Sequence, residues 1–290
     1  MKSIDKITKL SSNTTINLQG KFISLQKPLI MGVLNLTKDS FYDGGRYINN
    51  AEKALLRAKE MIEEGADIID IGACSTRPNA ILVSEKEELD QIIPVIGDIR
   101  KAFPDIIISI DTVWAKVAEK AIKEGANIIN DISGGQFDTK LFEILPSLNA
   151  PYILTHTPTT PDKMQEKTNY KNLFLDICDY FSERIEKLRE LGVKDIILDL
   201  GFGFGKTVEQ NYFLLNHIQD FKTFGLPILT GISRKTMIYK PLDITAEQAL
   251  NGTTFLHAFA LMNKSNILRV HDVKEAKECI ELYNLITNNR

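Results

Sequence analysis

The sequence predicts an α/β protein with a (β/α)8 TIM-barrel fold, because one pattern occurs eight times along the chain. Each unit begins with a short run of β-branched apolar residues, continues through Gly, Asn, Asp or Ser, and ends in a stretch of helical period. Apolar strands that alternate with helices indicate βαβ units and a parallel sheet. Eight units in about 250 residues match the size of this barrel. A doubly wound open sheet is the alternative.

The pattern predicts the strands in order. They are Leu29–Leu34, Asp67–Ile71, Ile106–Ile110, Ile128–Asn130, Tyr152–Thr155, Asp195–Leu198, Pro227–Thr230 and Ile267–Val270. Helical spacing is clearest in Ala51–Glu64 and Leu173–Leu191. Ahead of the first unit, Thr14–Leu25 predicts a hairpin around Gln19 and Gly20 that closes the barrel bottom. We expect residues 1–290 to form one domain, with residues 1–28 as an N-terminal tail and hairpin.

Capping signals mark several helix ends. Ser84 with Glu87, and Thr245 with Gln248, have the spacing of a capping box. Glycines follow three of the helical runs, where a C-terminal cap favours positive φ. They are Gly65, Gly125 and Gly192.

Composition excludes several classes of function. The chain has 43% hydrophobic and 25% charged residues and a net charge of −3, so a broad nucleic-acid surface is not expected. Cys74, Cys178 and Cys279 are far apart and lack CxxC spacing, which argues against disulfides and structural zinc and favours a reducing, cytoplasmic compartment. The first ten residues lack the apolar stretch of a secretory signal. No run approaches the ~18 apolar residues of a membrane span.

Polar residues follow the predicted strands, at the end of a barrel where chemistry occurs. Asp111, Asn130 and Asp199 lie in or next to apolar runs, where unpaired polar groups are costly. Together they would suit the amidine-like edge of a pterin or guanine. The other strand-end residues of this kind are Asn35, Asp131 and His156. For any one of them, the alternative is a turn former or a helix cap.

Basic residues follow the last two strands, where barrels often bind phosphate. They are Arg234, Lys235, Arg269 and His271. His271 is also predicted to open the last helix, whose N-terminal amides favour an anion. The alternative is a set of solvated charges that pair with Asp or Glu.

Residues 201–207 (GFGFGKT) look like a phosphate loop but fail its pattern, because Leu200 stands where a glycine is needed. The dinucleotide fingerprint fails as well, since its third glycine would fall at Lys206. We predict a flexible loop in which Phe202 or Phe204 packs on an aromatic substrate. The alternative is that both rings belong to the core.

Seven segments in the same chain order resemble the dihydropteroate synthase family. They are MGVLNLTKDSFYDGG (31–45), DIGACSTRP (70–78), SIDT (109–112), INDISGG (129–135), LDLGFGFGKT (198–207), GISRKT (231–236) and RVHDV (269–273). Any single segment is modestly specific, whereas the ordered set is highly specific. The resemblance implies a cytoplasmic transferase of folate biosynthesis, a sulfonamide target and a homodimer. Its substrates would be dihydropterin pyrophosphate and p-aminobenzoate, with Mg2+ as cofactor.

The resemblance also implies roles for individual residues. The pterin would be held by Asp111, Asn130, Asp199 and Lys235. The pyrophosphate would be held by Asn35, Arg269 and His271, with Mg2+ bridging it to Asn35. The residues around p-aminobenzoate would be Thr76, Arg77, Pro78, Phe204, Lys235 and Thr236. The residues assigned to catalysis are Arg269, His271, Lys235, Asp39 and Arg77. Asp39 and Arg77 would lie on the two loops that close over the site.

The implied chemistry is dissociative: pyrophosphate leaves first, and the arylamine then attacks a cation-like pterin methylene. Arg269, His271 and Mg2+ would stabilise the leaving charge. No protein nucleophile is required, and no Ser–His or Cys–His arrangement is evident in the sequence.

Some positions depart from the family pattern. They are Lys38, Ala73, Cys74, Asn79, Thr155, Thr157, Leu200 and Thr236. These changes motivate one alternative, a divergent relative that binds pterin without turnover. A second alternative on the same fold is a methyltransferase that uses methyl-tetrahydrofolate and a corrinoid protein, but it leaves the basic residues unexplained.

Overall fold

The computed structural model describes residues 15–36, 50–73, 83–158 and 168–288. Its strands are β1 (Thr15–Leu18), β2 (Lys21–Ser24), β3 (Leu29–Asn35), β4 (Ile68–Gly72), β5 (Ile107–Asp111), β6 (Ile128–Asp131), β7 (Tyr152–Thr155), β8 (Ile196–Asp199), β9 (Ile228–Thr230) and β10 (Ile267–Val270). Its α-helices are α1 (Asn50–Glu63), α2 (Glu85–Ala102), α3 (Ala115–Glu124), α4 (Lys140–Leu148), α5 (Leu173–Glu190), α6 (Val208–Asn216), α7 (Thr236–Tyr239), α8 (Leu250–Met262) and α9 (Val273–Asn288). A 3-10 helix covers Ile218–Phe224.

The strands β3 to β10 form a closed barrel in chain order, with β10 paired to both β9 and β3. Every pair in the barrel is parallel, and helices connect the strands. The predicted (β/α)8 barrel is therefore confirmed, and the open-sheet alternative is wrong. Within the described ranges, no helix combines the length and the apolar character needed to cross a membrane.

Five strands end one residue later than the sequence predicts. One of them ends in Gly72, and the other four end in the polar residues Asn35, Asp111, Asp131 and Asp199. In the register of the barrel, Asp111 pairs with Gly72 and Asn130, so its backbone still belongs to the sheet. The polar side chains are consequently fixed by the barrel wall and not by loops.

The capping predictions have a mixed outcome. Ser84 and Glu87 form a reciprocal capping box at the start of α2, as predicted. Thr245 and Gln248 are a wrong prediction, because α8 begins only at Leu250 and the Gln248 side chain accepts the Thr245 N–H within a turn. The three glycines predicted to follow helices adopt positive φ, namely Gly65 (103°), Gly125 (117°) and Gly192 (95°).

An apolar layer closes the bottom of the barrel. The hairpin β1–β2 pairs antiparallel, and its neighbourhood supplies Ile16, Leu18 and Leu25 to a buried cluster. The other members come from the beginnings of the barrel strands: Met31, Ile68, Ile128, Ile153, Ile197, Leu229 and Ile267. The predicted hairpin closure is confirmed, and polar chemistry is left to the opposite end.

Asp131 holds the turn that follows β6. Its carboxylate accepts the Tyr152 hydroxyl at 2.6 Å and the backbone N–H groups of Ser133 and Gly135 at 2.7 Å each. The turn-forming alternative is therefore correct for Asp131. These bonds form the turn that ends β6 directly after Asp131.

We expect Tyr152→Phe to lower the free energy of unfolding by about 2 kcal/mol, because a buried carboxylate loses its hydroxyl donor. Tyr212→Phe is the control, since that hydroxyl donates to the Met237 carbonyl at the surface and its loss should cost under about 1 kcal/mol. Urea unfolding of both variants measures the difference. Equal losses would contradict the role assigned to the Tyr152–Asp131 bond.

Candidate active site

Arg269 connects three polar residues at the C-terminal ends of the strands. From β10, its Nε donates to Asp70 Oδ2 and its Nη2 to Asp111 Oδ2, each at 2.6 Å. Asn130 Nδ2 donates to the same Asp70 oxygen at 3.0 Å. One guanidinium thus joins β10 to β4 and β5, and Asp70 ties it to β6.

Asp70 is the central residue that the sequence interpretation missed. It is fully buried in β4, and its Oδ1 has no hydrogen-bond partner among the described residues. The available signal was a carboxylate inside the apolar run IIDIG, because a buried charge requires a partner. The prediction rests on polar residues at strand ends, whereas Asp70 lies two residues before the end of β4.

The electrostatics of this cluster follow from its burial. Burial raises the pKa of Asp111 to about 7, against the lowering effect of Arg269. Burial opposes the charge of Arg269, but Asp70 and Asp111 hold its pKa above the ordinary value. The cluster therefore has a permanent cation and an Asp111 carboxyl whose charge is sensitive to pH near neutrality.

A second part of the cluster lies across the mouth, around Asp199 and Lys235. Asp199 Oδ1 accepts the Gly201 N–H at 2.8 Å, and Lys235 Nζ donates to the Phe202 carbonyl at 2.5 Å. Burial raises the pKa of Asp199 and lowers that of Lys235 to about 8, while each charge favours the other.

Gly231 marks where the two parts meet. A Cβ placed on it would lie 3.8 Å from Arg269 Cβ and 3.9 Å from Asp199 Oδ2. The side chains of Arg269 and Asp199 thus approach the same point, so the two parts form one connected site.

The residues 201–205, here called the glycine loop, follow β8 and line the Lys235 side of the site. Phe204 packs with Val113 and Ile132, and Lys235 Nζ lies 4.9 Å from the centre of its ring. Phe202 is fully buried in the main core, so the core alternative is correct for that ring. Phe204 is the ring for which the family resemblance implies a contact with p-aminobenzoate, and that contact stays a prediction.

His156 and Lys206 lie beneath the glycine loop. Lys206 Nζ is 2.8 Å from His156 Nδ1 and donates to the carbonyls of Gly201 and Phe204 at 2.8 and 3.0 Å. The sequence placed His156 among the strand-end polar groups, but its ring is buried against this lysine. Its contribution to a ligand site is therefore indirect.

The basic residues divide into two groups. Arg234 forms a bidentate ion pair with Asp272, at 2.9 and 2.8 Å, so the alternative of internal pairing is correct for it. Lys235, Arg269 and His271 remain at the mouth. The prediction that His271 opens the last helix is wrong by two residues, because α9 begins at Val273.

His271 lies at the exposed rim beside Ser233. Its backbone N lies 3.2 Å from Ser233 Oγ, and its ring Nδ1 lies 3.1 Å from the same oxygen. The sequence does not reveal this Ser–His contact. Because the same hydroxyl accepts the His271 backbone N–H, the contact shapes the turn after β10. Protein packed around the ring, and then the charge of Arg269, lower the pKa of His271 below its ordinary value.

The remaining predicted residues have separate locations. Asn35 ends β3 beside Gly72 of β4. Thr236 begins α7, is exposed, and shares a 2.8 Å hydrogen bond with the Tyr239 hydroxyl. Several predictions fall outside the described residues, namely Asp39, Thr76, Arg77 and Pro78, together with the family departures Lys38, Cys74 and Asn79.

Two hollows in the described structure lie away from this cluster. One, of about 670 Å³, is lined by residues of α2, α3 and α4 and includes Trp114 and Phe137. The other, of about 410 Å³, lies under the barrel between Pro28 and α9. Neither hollow is lined by the charged residues of the mouth. The candidate site is therefore identified by its charged side chains and not by the volume of a hollow.

Comparison with known proteins identifies the family. A family model described as "Pterin binding enzyme" matches residues 31–271. Dihydropteroate synthase of Clostridium beijerinckii is 43% identical over 264 residues, which cover 90% of this chain and 95% of that protein. The chain belongs to the dihydropteroate synthase family. The Bacillus subtilis enzyme of this name is 42% identical, over 91% of this chain and 90% of its own length.

Solved structures of the family have the same fold. The Yersinia pestis dihydropteroate synthase in complex with a sulfonamide drug has a TM-score of 0.88 and 38% identity, and the match covers 94% of this chain and 99% of that one. The Xanthomonas albilineans dihydropteroate synthase with 4-aminobenzoic acid also has a TM-score of 0.88, at 31% identity and 94% and 98% coverage.

The described departures from the family pattern are mostly internal. Ala73, Thr155, Thr157 and Leu200 are all buried. Leu200 lies in the main core, between Asp199 and the glycine loop. These four positions therefore alter the packing behind the mouth, whereas Thr236 alters its surface.

Proposed function

We propose that this chain condenses 6-hydroxymethyl-7,8-dihydropterin pyrophosphate with p-aminobenzoate, giving 7,8-dihydropteroate and pyrophosphate for folate biosynthesis. One observation carries the proposal: Arg269 donates to the Asp111 carboxylate, so that an acceptor group and a basic group lie side by side at the barrel mouth. A substrate with a donor edge and a diphosphate tail matches both halves of that arrangement. Family membership supports the same reaction.

The pterin is held by Asp111, Asn130, Asp199 and Lys235. Carboxylates accept from ring N–H and exocyclic NH2 groups in charge-assisted bonds, and Lys235 donates to a ring acceptor. A pterin that takes the place of the guanidinium on Asp111 frees one face of Arg269, while Asp70 keeps its Nε anchored.

The pyrophosphate is held by Asn35, Arg269 and His271. The released Nη2 of Arg269 turns to the diphosphate, so that binding of one half of the substrate prepares binding of the other. His271 at the rim contacts the outer phosphate. The carbon–oxygen bond of the pterin methylene breaks, and its electron pair leaves on the pyrophosphate, whose charge these groups stabilise.

The p-aminobenzoate is surrounded by Thr76, Arg77, Pro78, Phe204, Lys235 and Thr236. Its nitrogen attacks the methylene carbon and loses a proton to solvent. Asp39 and Arg77 act on the two loops that close over the site and exclude water. The aromatic acid in the Xanthomonas albilineans relative and the drug in the Yersinia pestis relative support this subsite and sulfonamide binding.

Magnesium fits the donor set at Asn35. Among the described residues, no group of three or more His, Cys, Asp or Glu side chains is arranged to hold a metal ion. A single amide oxygen suits Mg2+, which keeps several waters and binds mainly through substrate phosphates. Bound there, Mg2+ would neutralise charge on the leaving pyrophosphate.

The proposed assembly is a homodimer in the cytoplasm. The outer helices expose apolar side chains, namely Tyr212 and Phe213 on α6 and Phe255, Phe259 and Met262 on α8. Since α6 contacts α8, these side chains favour one apolar interface between two subunits. Sedimentation velocity of the purified protein measures whether it is a dimer. Both cysteines in the described ranges, Cys178 and Cys279, are free thiols, which suits a reducing compartment.

The activity is tested with the purified protein, pterin pyrophosphate, p-aminobenzoate and Mg2+. We expect dihydropteroate and pyrophosphate to form in equal amounts, measured by chromatography and a coupled phosphate assay. Tight binding of the pterin substrate without product would instead support the divergent binding protein. Pterin binding that pyrophosphate does not oppose would favour the methyltransferase.

Binding of pyrophosphate is expected to protonate His271. The surrounding protein and Arg269 lower its pKa in the free enzyme, and an adjacent diphosphate raises it again. Calorimetry near pH 6.5 in buffers of different ionisation heat should therefore show greater proton uptake for the wild type than for His271→Asn. The comparison cancels protonation of the ligand itself, and identical uptake would remove His271 from the pyrophosphate site.

A further inference from the structure

We infer that Lys206 is a positioning residue that holds the glycine loop in the shape the substrates require. The inference rests on the site assignment proposed above. Lys206 touches none of the proposed ligand positions and acts through the loop. It is the residue that the failed phosphate-loop pattern singled out, and its burial gives it a different role.

The first observation is that the loop wraps around the Lys206 amino group. Nζ donates to the carbonyl of Gly201 at the beginning of the loop and to that of Phe204 near its end, at 2.8 and 3.0 Å. Its third close partner is His156 Nδ1 at 2.8 Å. Burial lowers the pKa of Lys206 well below its ordinary value, and the charge of Asp199 opposes that shift. In its ammonium form the side chain has three N–H donors, which match these three uncharged acceptors, and a longer contact of 3.5 Å reaches the His156 carbonyl.

The second observation is that the outer side of the same loop bears on the proposed substrate groups. The Gly201 N–H donates to Asp199, the Phe202 carbonyl accepts from Lys235, and the Phe204 ring lies beneath the Lys235 ammonium. A change in the loop's shape therefore reaches the pterin groups and the p-aminobenzoate ring together.

The third observation is that the loop cannot relax into an ordinary turn. Gly201, Gly203 and Gly205 all have positive φ, of 66°, 82° and 58°. A Cβ on Gly201 would lie 1.9 Å from the His156 carbonyl oxygen. Such a backbone has several internal carbonyls to satisfy, and Lys206 satisfies two of them.

His156 completes the arrangement. Its ring is buried among Tyr180, Phe181 and Tyr170. Burial, and then the neighbouring Lys206, lower its pKa well below the ordinary value, so the ring is neutral and Nδ1 accepts. The third donor of Lys206 is thereby anchored on the rigid end of β7.

The test is Lys206→Met, which keeps the length of the side chain and removes its three donors. We expect kcat/KM to fall by about 10- to 100-fold, with a raised KM for p-aminobenzoate and weaker pterin binding, because the reacting groups are misplaced. Lys206→Gln keeps a donor for one carbonyl and should lose less. The matched control is Lys222→Met, since Lys222 is a partly buried lysine that donates to Asn266 at the barrel bottom.

The control should lower the melting temperature while leaving KM and kcat unchanged. Should Lys206→Met and Lys222→Met show the same kinetics at equal folded fraction, the inference is overturned. Hydrogen exchange on the wild-type enzyme covers the case in which neither Lys206 variant folds. The amides of Gly201, Gly203 and Phe204 should then be protected, and rapid exchange there would equally overturn it. If the wild-type enzyme forms no dihydropteroate, the proposed function is refuted. The hydrogen-exchange result still tests whether the glycine loop is held in place.

Discussion

Arg269→Met is expected to reduce kcat/KM by about 10²- to 10³-fold, because the donor proposed to stabilise the departing charge is lost. It should also lower the free energy of unfolding by about 3 kcal/mol, since Asp70 and Asp111 lose the cation between them. Steady-state kinetics and urea unfolding measure the two effects separately.

Two further variants separate charge balance from chemistry at Arg269. Adding Asp70→Asn to Arg269→Met removes one unpaired buried carboxylate, so stability should partly return while activity stays low. Arg100→Met is the matched control, because Arg100 donates to the carbonyls of Gly125, Pro104 and Ile106 away from the mouth. It should lose stability with unchanged kinetics. Recovery of activity in the double variant would argue against a role for Arg269 on the pyrophosphate.

Asp111→Asn is expected to weaken pterin binding by about 1.5–3 kcal/mol, or roughly 10- to 150-fold in Kd, because a charged acceptor becomes a neutral amide. Burial raises the pKa of this carboxyl to about 7, so it is partly protonated in the free enzyme. A pterin donor edge favours the ionised form, and wild-type affinity should therefore increase from pH 6 to pH 8. The variant should lack that dependence.

Asp131→Asn is the control for Asp111→Asn. Both carboxylates are buried and end adjacent strands, but Asp131 is committed to Tyr152 and its own turn. Isothermal titration with the pterin substrate should show near wild-type affinity for Asp131→Asn, despite its lower stability. Equal affinity losses in the two variants would indicate a general effect of disturbing the barrel mouth.

The barrel and most of its mouth could be predicted because the responsible signals are local. Apolar runs at regular intervals fix the strands, and a carboxylate such as Asp199 at the end of one must point to the mouth or be paired. The sequence pattern ends five strands one residue early, four of them because Asn and Asp resemble turn residues. Only the register with a neighbouring strand shows that Asp111 still belongs to the sheet.

Partners that are distant in sequence could not be predicted. Arg234 and Arg269 both follow the pattern of a strand-end cation. In the structure, however, Arg234 pairs with Asp272. Arg269 pairs with Asp70 and Asp111. Asp70 lies 199 residues from Arg269, so no spacing rule relates them. For Lys206 the sequence offers only an incomplete phosphate-loop pattern. Its partners in the structure are loop carbonyls, whose direction depends on positive φ in the loop.

The apolar floor formed with the hairpin has an evolutionary consequence. Because that floor and the helix-facing core carry the cohesion of the barrel, an exposed rim position such as Thr236 is free to vary at little thermodynamic expense. Under selection by an inhibitor that mimics p-aminobenzoate, such a lineage can alter what the mouth admits and still produce folded protein. Resistance of this kind would arise first at the rim and would leave the melting temperature almost unchanged.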